Sequence, residues 1–297
     1  MKHKVIVVVG PTAVGKTKLS IRLAKRYGIE IISGDSIAVY KELNIGSAKP
    51  TLEEMEGVPH HLIDILDPKE DYSVADFQKQ ARAILDKHPL SLICGGTGLY
   101  IQATLFNYEF QSKKRDAHLA ELYKDYSNEE LYALLKEKDK NLDESKIHPN
   151  NRKRVLRALE VYEDLGSSIH SFNHKDEALY DYFIVYLDMD RELLYERIHQ
   201  RVDQMLEDGL FEEVKALAEK NIYPKGIGYR EWIPYFEGKI SFEDVYDEIT
   251  KNTRHLAKRQ ATWFRNQMQS HFYQIEPDIQ EEIYQRIELD IDRWLKE

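Results

Sequence analysis

Residues 10–17 read GPTAVGKT, and few stretches of this length constrain a fold so tightly. The stretch matches G-x-x-x-x-G-K-[ST], a loop that needs a buried strand before it and a helix after it. KVIVVV supplies the strand, apolar, rich in β-branched residues and closed by Gly-Pro. KTKLSIRLAKRYG supplies the helix, with Leu19, Ile21, Leu23 and Ala24 at helical spacing and Gly28 as C-cap. Gly10 and Gly15 allow backbone angles that a side chain would block. The amides of Thr12, Ala13, Val14, Gly15, Lys16 and Thr17 can then turn inward as an anion nest, with Pro11 completing the loop. The helix dipole adds positive potential there, Lys16 adds a full charge, and the Thr17 hydroxyl suits Mg2+. The loop cradles two adjacent phosphates; it does not say whose they are.

Strand and helix signals alternate through residues 1–110. IEIISGDS, HLIDIL at 61–66 and LSLICGGTGLY read as further strands, and SVADFQKQARAILDKH as a helix capped by Ser73. That alternation predicts an α/β fold, a P-loop NTPase-like parallel sheet flanked by helices. From residue 111 the texture becomes polar and helical. HLAELYKDYSNEELYALLKEKD predicts two short helices with Ser127 as a cap, and NRKRVLRALEVYEDLG a third, stopped by Gly166. DYFIVYLDMD returns to strand character, and long helices follow it. The expected organisation is a catalytic core over 1–110 and 181–297, with an all-helical insertion domain over 111–180.

Composition narrows the setting. The 297 residues include 42 Lys+Arg against 52 Asp+Glu, a net charge of −10, which on average argues against a nucleic-acid partner. Cys94 is the only cysteine, so no intramolecular disulfide is possible. No apolar run approaches the ~20 residues of a membrane span. A soluble, cytoplasmic protein is expected.

The second strand ends in SGDS, which places Asp35 at the carboxyl edge of the sheet, where open α/β folds bind ligands. Asp35 could coordinate Mg2+, accept a proton, or merely cap a turn. GGTGLY ends a later strand on the same edge. Gly95, Gly96 and Gly98 permit either close ligand approach or a tight strand-to-helix turn, and Thr97 offers a hydroxyl. His60 and His61 are adjacent and point apart in a strand, which reads as structural.

Taken in order, GPTAVGKT, SGDS, IGSAKP, PHHLIDI, YSVADF, GGTGLY, HPNNRKRVLRALEVY, GIGYRE and TRHLAKRQATWFR resemble the bacterial tRNA dimethylallyltransferases (isopentenyl-tRNA transferases) over nearly the whole chain. IGSAKP and LAKRQ are not kinase signatures. Gly34 departs from the family, where Val often stands before the Asp. The resemblance implies transfer of a dimethylallyl group from dimethylallyl diphosphate to N6 of the adenosine 3′ of the anticodon, in tRNAs reading codons that begin with U. On this reading the loop residues Gly10 to Thr17 hold the diphosphate leaving group, with Mg2+ on Thr17 and Arg201 as a clamp. Arg197 shares the helix face of Arg201 at i, i+4. Asp35 carries over as general base, and Thr97 as a residue beside the reacting centre, with Lys16 as the third catalytic group.

The tRNA contacts implied are Asp35, Ser36, Ile37, Ala38 and Thr97, then Lys153, Arg154, Val155, Leu156 and Arg157. The GIGYR turn adds Lys225, Gly226, Ile227, Gly228, Tyr229 and Arg230, and the last long helix adds Arg254, Lys258 and Arg259. NRKRVLR and KNTRHLAKRQATWFR carry their cations with no acid between them, against the acidic average of the chain. The expected partners are a tRNA anticodon stem-loop and dimethylallyl diphosphate, with no membrane, and the chain is expected to act as a monomer. A P-loop small-molecule or nucleotide kinase shares the loop and the edge carboxylate, but leaves GIGYR and the basic helix unexplained. A prenyltransferase for free adenine nucleotides, or an RNA-binding protein with a relic loop, are further alternatives.

Overall fold

The structure is a computed structural model, and it describes residues 2–108, 110 and 117–297. β1 (Lys4–Val9), β2 (Ile31–Ser33), β3 (His60–His61), β4 (Leu90–Cys94), β7 (Asp181–Met189) and β8 (His271–Ile275) form one sheet in the order β3-β2-β4-β1-β7-β8. Every pairing in it is parallel. β1 lies between β4 and β7, which explains its unbroken apolar run. Ile6 and Val8 join the cluster built with α1 (Lys16–Tyr27) and α11 (Gln280–Lys296), while Val5, Val7 and Val9 point to the other face and are equally buried. α2 (Val74–Leu85) starts at Ser73 with a full capping box, and its Phe77 ring stacks on Tyr100 of α3 (Gly98–Leu105) at 4.6 Å.

The chain divides into two compact units, Met1–Leu105 with Leu179–Glu297, and Phe106–Ala178. The insertion expected over 111–180 begins in 111–116, outside the described residues. The second unit holds β5 (Phe106–Tyr108), α4 (Ala117–Leu122), α5 (Asn128–Lys138), α6 (Arg152–Leu165) and β6 (Asn173–Ala178). It is therefore not all-helical: β5 and β6 pair antiparallel. NHKDEA has no apolar alternation to betray a strand; the backbone ladder alone makes it one. Its helices carry the expected signals, Ser127 with a capping box and Gly166 at φ 63° closing α6.

The first unit continues with α7 (Arg191–Glu207), α8 (Leu210–Glu219), the short α9 (Ile233–Phe236) and α10 (Phe242–Gln267). One strand expectation is corrected, and one strand stands where none was expected. The segment 61–66 is not a strand beyond His61, because Leu62 and Asp64 take left-handed φ of 61° and 54°. Conversely, HFYQI forms β8, an edge strand that buries only Tyr273 and Ile275 and so shows little pattern in sequence.

Phe77 is fully buried under the turn that begins α3. Phe77→Ala is expected to lower the unfolding free energy by ~3–5 kcal/mol in urea titration. A loss under about 1 kcal/mol would show that this packing is not what holds α2 to α3.

Candidate functional site

Parallel pairing levels the carboxyl ends of four strands. Val8 stands opposite Cys94 and Val185, and Ser33 opposite Cys94. The residues that follow interlock through the backbone: Gly34 N–H donates to Cys94 O (2.7 Å), Gly95 N–H to Val8 O (3.2 Å) and Thr97 N–H to Gly34 O (3.2 Å). Asp35 and Thr97 are thus brought together beside the phosphate loop.

Within the loop, Gly10 (φ 149°) and Gly15 (φ 102°) adopt angles that favour glycine, and Ala13 is left-handed at φ 66°. Gly15 is the N-cap of α1 and no side chain caps the helix, so its first amides remain available to an anion. The nest is smaller than expected from sequence. Thr12 N–H donates to Gln260 Oε1 (2.9 Å), and Val14 N–H to Pro11 O (3.5 Å). The amides of Ala13, Gly15, Lys16 and Thr17 have no acceptor among the described residues. Lys16 Nζ donates to Gly10 O (3.1 Å) and Pro11 O (2.8 Å). Burial lowers its pKa to about 8; neighbouring Arg201 pushes the same way, and Cys94 and Asp35 oppose. Thr17 is exposed at the start of α1.

Arg201 Nη1 donates to Thr12 Oγ1 (3.4 Å) and Nη2 to Ala48 O (3.3 Å). Burial lowers its pKa too, against the pull of Asp35 and Glu54. One turn earlier, Arg197 Nη1 approaches Val14 O at 3.5 Å. The shared helix face read from sequence therefore brings both arginines to the loop.

Asp35 Oδ1 accepts from the amides of Ile37 (2.7 Å) and Ala38 (3.3 Å), so it does cap a turn. Its other oxygen has no hydrogen bond among the described residues. Ser36 is half-buried, whereas Ala38 is buried and Ile37 packs beneath Gly226. The glycines of GGTG serve packing within the protein. A Cβ on Gly95 would lie 2.3 Å from Gly34 O, on Gly96 2.2 Å from Gln260 Nε2, and on Gly98 2.1 Å from the Trp263 ring. At Gly34 a Cβ meets only contacts of 3.4 Å or more, so a side chain would fit there.

GIGYR and IGSAKP form one clasp. Glu213 on α8 accepts from the amides of Asn44, Ile45 and Gly46, and Tyr229 OH donates to it at 2.8 Å. The Tyr229 hydroxyl accepts from Ser47 N–H (3.0 Å), and a Cβ on Gly46 would strike the Tyr229 ring. Burial pushes the Tyr229 pKa far up. Lys49 is also internal, donating to Tyr40 O and Asn44 Oδ1 and paired with Asp64. Several of the residues expected at the RNA have side chains engaged within the protein. Tyr229 is 1% exposed, and Gly226 and Gly228 are buried with it; Ile227 packs into the same cluster. Val155 is fully buried and Leu156 packs beside it in the core of the second unit. Arg157 pairs with Glu160, and Arg152 donates to the carbonyls of Tyr123, Lys124 and Tyr126. Arg254 contacts His199 Nε2 and lies 5.1 Å over the Tyr195 ring. Lys225, Arg230, Lys258 and Arg259 are exposed in the first unit, and Lys153 and Arg154 in the second.

Sheet, loop and edge define a class: a P-loop α/β protein with a cationic cradle for a phosphate chain and a carboxylate beside it. A family model described as IPP transferase matches residues 38–267, and one described as isopentenyl transferase matches residues 3–66. The tRNA dimethylallyltransferase of Enterococcus faecalis is 46% identical, with 99% of this chain and 98% of that protein covered. That of Bacillus subtilis is 45% identical, covering 95% and 94%. Among solved structures, the tRNA delta(2)-isopentenylpyrophosphate transferase of Staphylococcus epidermidis has a TM-score of 0.73 at 40% identity, covering 98% and 99%. A eukaryotic dimethylallyltransferase acting on tRNA has a TM-score of 0.78 at 30% identity, covering 91% of this chain and 73% of that one. The chain belongs to this family, the tRNA dimethylallyltransferases, and is a prenyltransferase.

Lys16 is a cation held with a pKa of about 8, so its charge is present at neutral pH and lost between there and the ordinary value of 10.5. A depressed lysine pKa means the unfolded chain binds more protons in that window, so this group's contribution to stability rises with pH across it. Anion binding runs the other way. The Kd for inorganic pyrophosphate is expected to rise as pH passes about 8, measured by calorimetry. Lys16→Met should lack that step, while the ligand's own titration is common to both proteins.

Proposed function

We propose that the chain transfers a dimethylallyl group from dimethylallyl diphosphate to N6 of the adenosine 3′ of the anticodon, in tRNAs that read codons beginning with U. The observation that carries the reading is the juxtaposition of Lys16, Arg201 and four open loop amides with Asp35 and Thr97. The amine lone pair of N6 attacks the allylic carbon, the carbon–oxygen bond breaks, and its electron pair leaves with the diphosphate. Charge grows on the leaving oxygens, where preorganised amides and half-buried cations stabilise it most. Exocyclic N6 is a weak nucleophile, and removing its proton matters. Asp35 Oδ1 is held by two amides, which leaves Oδ2 to take that proton. Thr97, whose amide is bonded to Gly34 O, is the residue this reading sets beside the reacting centre.

Among the described residues, no cluster of three or more His, Cys, Asp or Glu could hold a metal by itself. The exposed Thr17 hydroxyl together with diphosphate oxygens and water is an oxygen donor set that fits Mg2+, an ion that binds through substrate phosphates and keeps several waters. Bound there, it would offset charge on the leaving group.

The adenosine must leave the anticodon stack to reach Asp35. An anticodon stem-loop offers phosphates to exposed cations, and each unit presents its own: Lys225, Arg230, Lys258 and Arg259 in one, Lys153 and Arg154 in the other. Among the described residues no helix is long and apolar enough to cross a membrane. The reading places the chain with tRNA in the cytoplasm and requires only one copy of it.

The test is incubation with dimethylallyl diphosphate, Mg2+ and unmodified tRNA, followed by digestion and mass measurement of the nucleosides. Adenosine without a dimethylallyl gain would sink the proposal. Asp35→Asn keeps the Oδ1 acceptor of the turn and removes the base. It is expected to cost ~100–10,000-fold in turnover while tRNA binding persists. Binding of tRNA should weaken by about tenfold or more between ~50 and ~200 mM salt. A flat salt response would contradict phosphate contacts by these side chains.

A further inference from the structure

We infer that Gln260 is a positioning residue that sets the spacing between the diphosphate cradle and Thr97; the inference rests on the prenyl-transfer reading above. Gln260 projects from α10 between the two glycine turns of the sheet edge. Its Oε1 accepts from Thr12 N–H (2.9 Å) in the phosphate loop, and its Nε2 donates to Gly96 O (3.2 Å), one residue before Thr97. A carboxamide carries an acceptor and a donor side by side at one end, which an ionised carboxylate does not. Glutamate would face the Gly96 carbonyl with a second acceptor and set a negative charge beside the diphosphate. The turn is shaped to admit the amide, since a Cβ on Gly96 would lie 2.2 Å from Nε2. Three residues further along α10, Trp263 fills the space at Gly98 in the same way. Thr97 sits between these two glycines. The leaving group is held by one turn and Thr97 by the other, and Gln260 spans them.

Gln260 is not a ligand of the diphosphate on this reading. It removes the Thr12 amide from the nest and leaves those of Ala13, Gly15, Lys16 and Thr17 open. Its loss should therefore spoil alignment and spare binding. Displacements of about 1 Å between reacting groups cost roughly 100-fold in rate.

Gln260→Met keeps the side-chain length and removes both bonds. Expected is a fall in kcat for dimethylallyl transfer of roughly 30- to 100-fold, with the calorimetric Kd for inorganic pyrophosphate unchanged within about threefold, since no cradle donor is lost. Gly96→Ala displaces the amide from the other side, so the double variant should be no slower than the slower single one. The inference is overturned by a Gln260→Met kcat near that of the wild type, or by losses that multiply in the double variant. It is equally overturned if pyrophosphate affinity falls in step with kcat, which would make Gln260 a ligand. Should Gly96→Ala fail to fold, the two measurements on Gln260→Met decide. A wild-type protein without transfer activity overturns the functional reading and this inference with it; an active wild type beside an unimpaired Gln260→Met overturns the inference alone.

Discussion

The site depends on backbone meeting backbone at the carboxyl edge of the sheet. A Cβ on Gly10 would stand 2.4 Å from Leu187 O, and one on Gly95 2.3 Å from Gly34 O. No side chain separates the ends of β1, β2, β4 and β7. The bonds from Gly95 to Val8 and from Thr97 to Gly34 follow from that closeness. Three residues far apart in sequence, Lys16, Asp35 and Thr97, are gathered because their strands end level and touch. A larger residue at either glycine would part the strands and disperse the site.

The edge is also electrostatically unbalanced. Lys16 and Arg201 both carry pKa values lowered chiefly by burial, and among the groups acting on both, Asp35 is the shared carboxylate. Holding two cations out of water is unfavourable, and an arriving diphosphate relieves that penalty. The same arrangement stabilises charge that grows when the allylic bond breaks. Binding and leaving-group stabilisation thus share one origin, and the carboxylate at the edge is left for the proton.

Much of this was legible in the chain. The strand before the loop, the helix after it, the Ser73, Ser127, Gly28 and Gly166 caps, and Asp35 at a strand end are local facts, written within a few residues of one another. What misled were features whose meaning is set by distant neighbours. Tyr229, Val155 and Leu156 sit in motifs with exposed cations, yet the first two are buried and Leu156 packs half-buried beside Val155. Thr12 belongs to the loop, yet its amide faces Gln260, 248 residues away. NHKDEA and HFYQI are strands because partners pair with them, not because of their pattern. The two clasped motifs, IGSAKP and GIGYR, are joined through Glu213, a residue in neither.

The sequence by itself determined the phosphate cradle, its lysine, the carboxylate after the second strand and the order of motifs that marks the family. These rest on backbone freedom at glycines, on helix polarity and on short-range spacing, all of which act within a turn or two. The tertiary structure alone decided which amides stay open, which cations reach the surface, and what the turn glycines admit. Those outcomes depend on what packs against each residue from elsewhere in the chain. For Gly96 and Gly98 that neighbour is α10, whose Gln260 and Trp263 occupy the space a side chain would need.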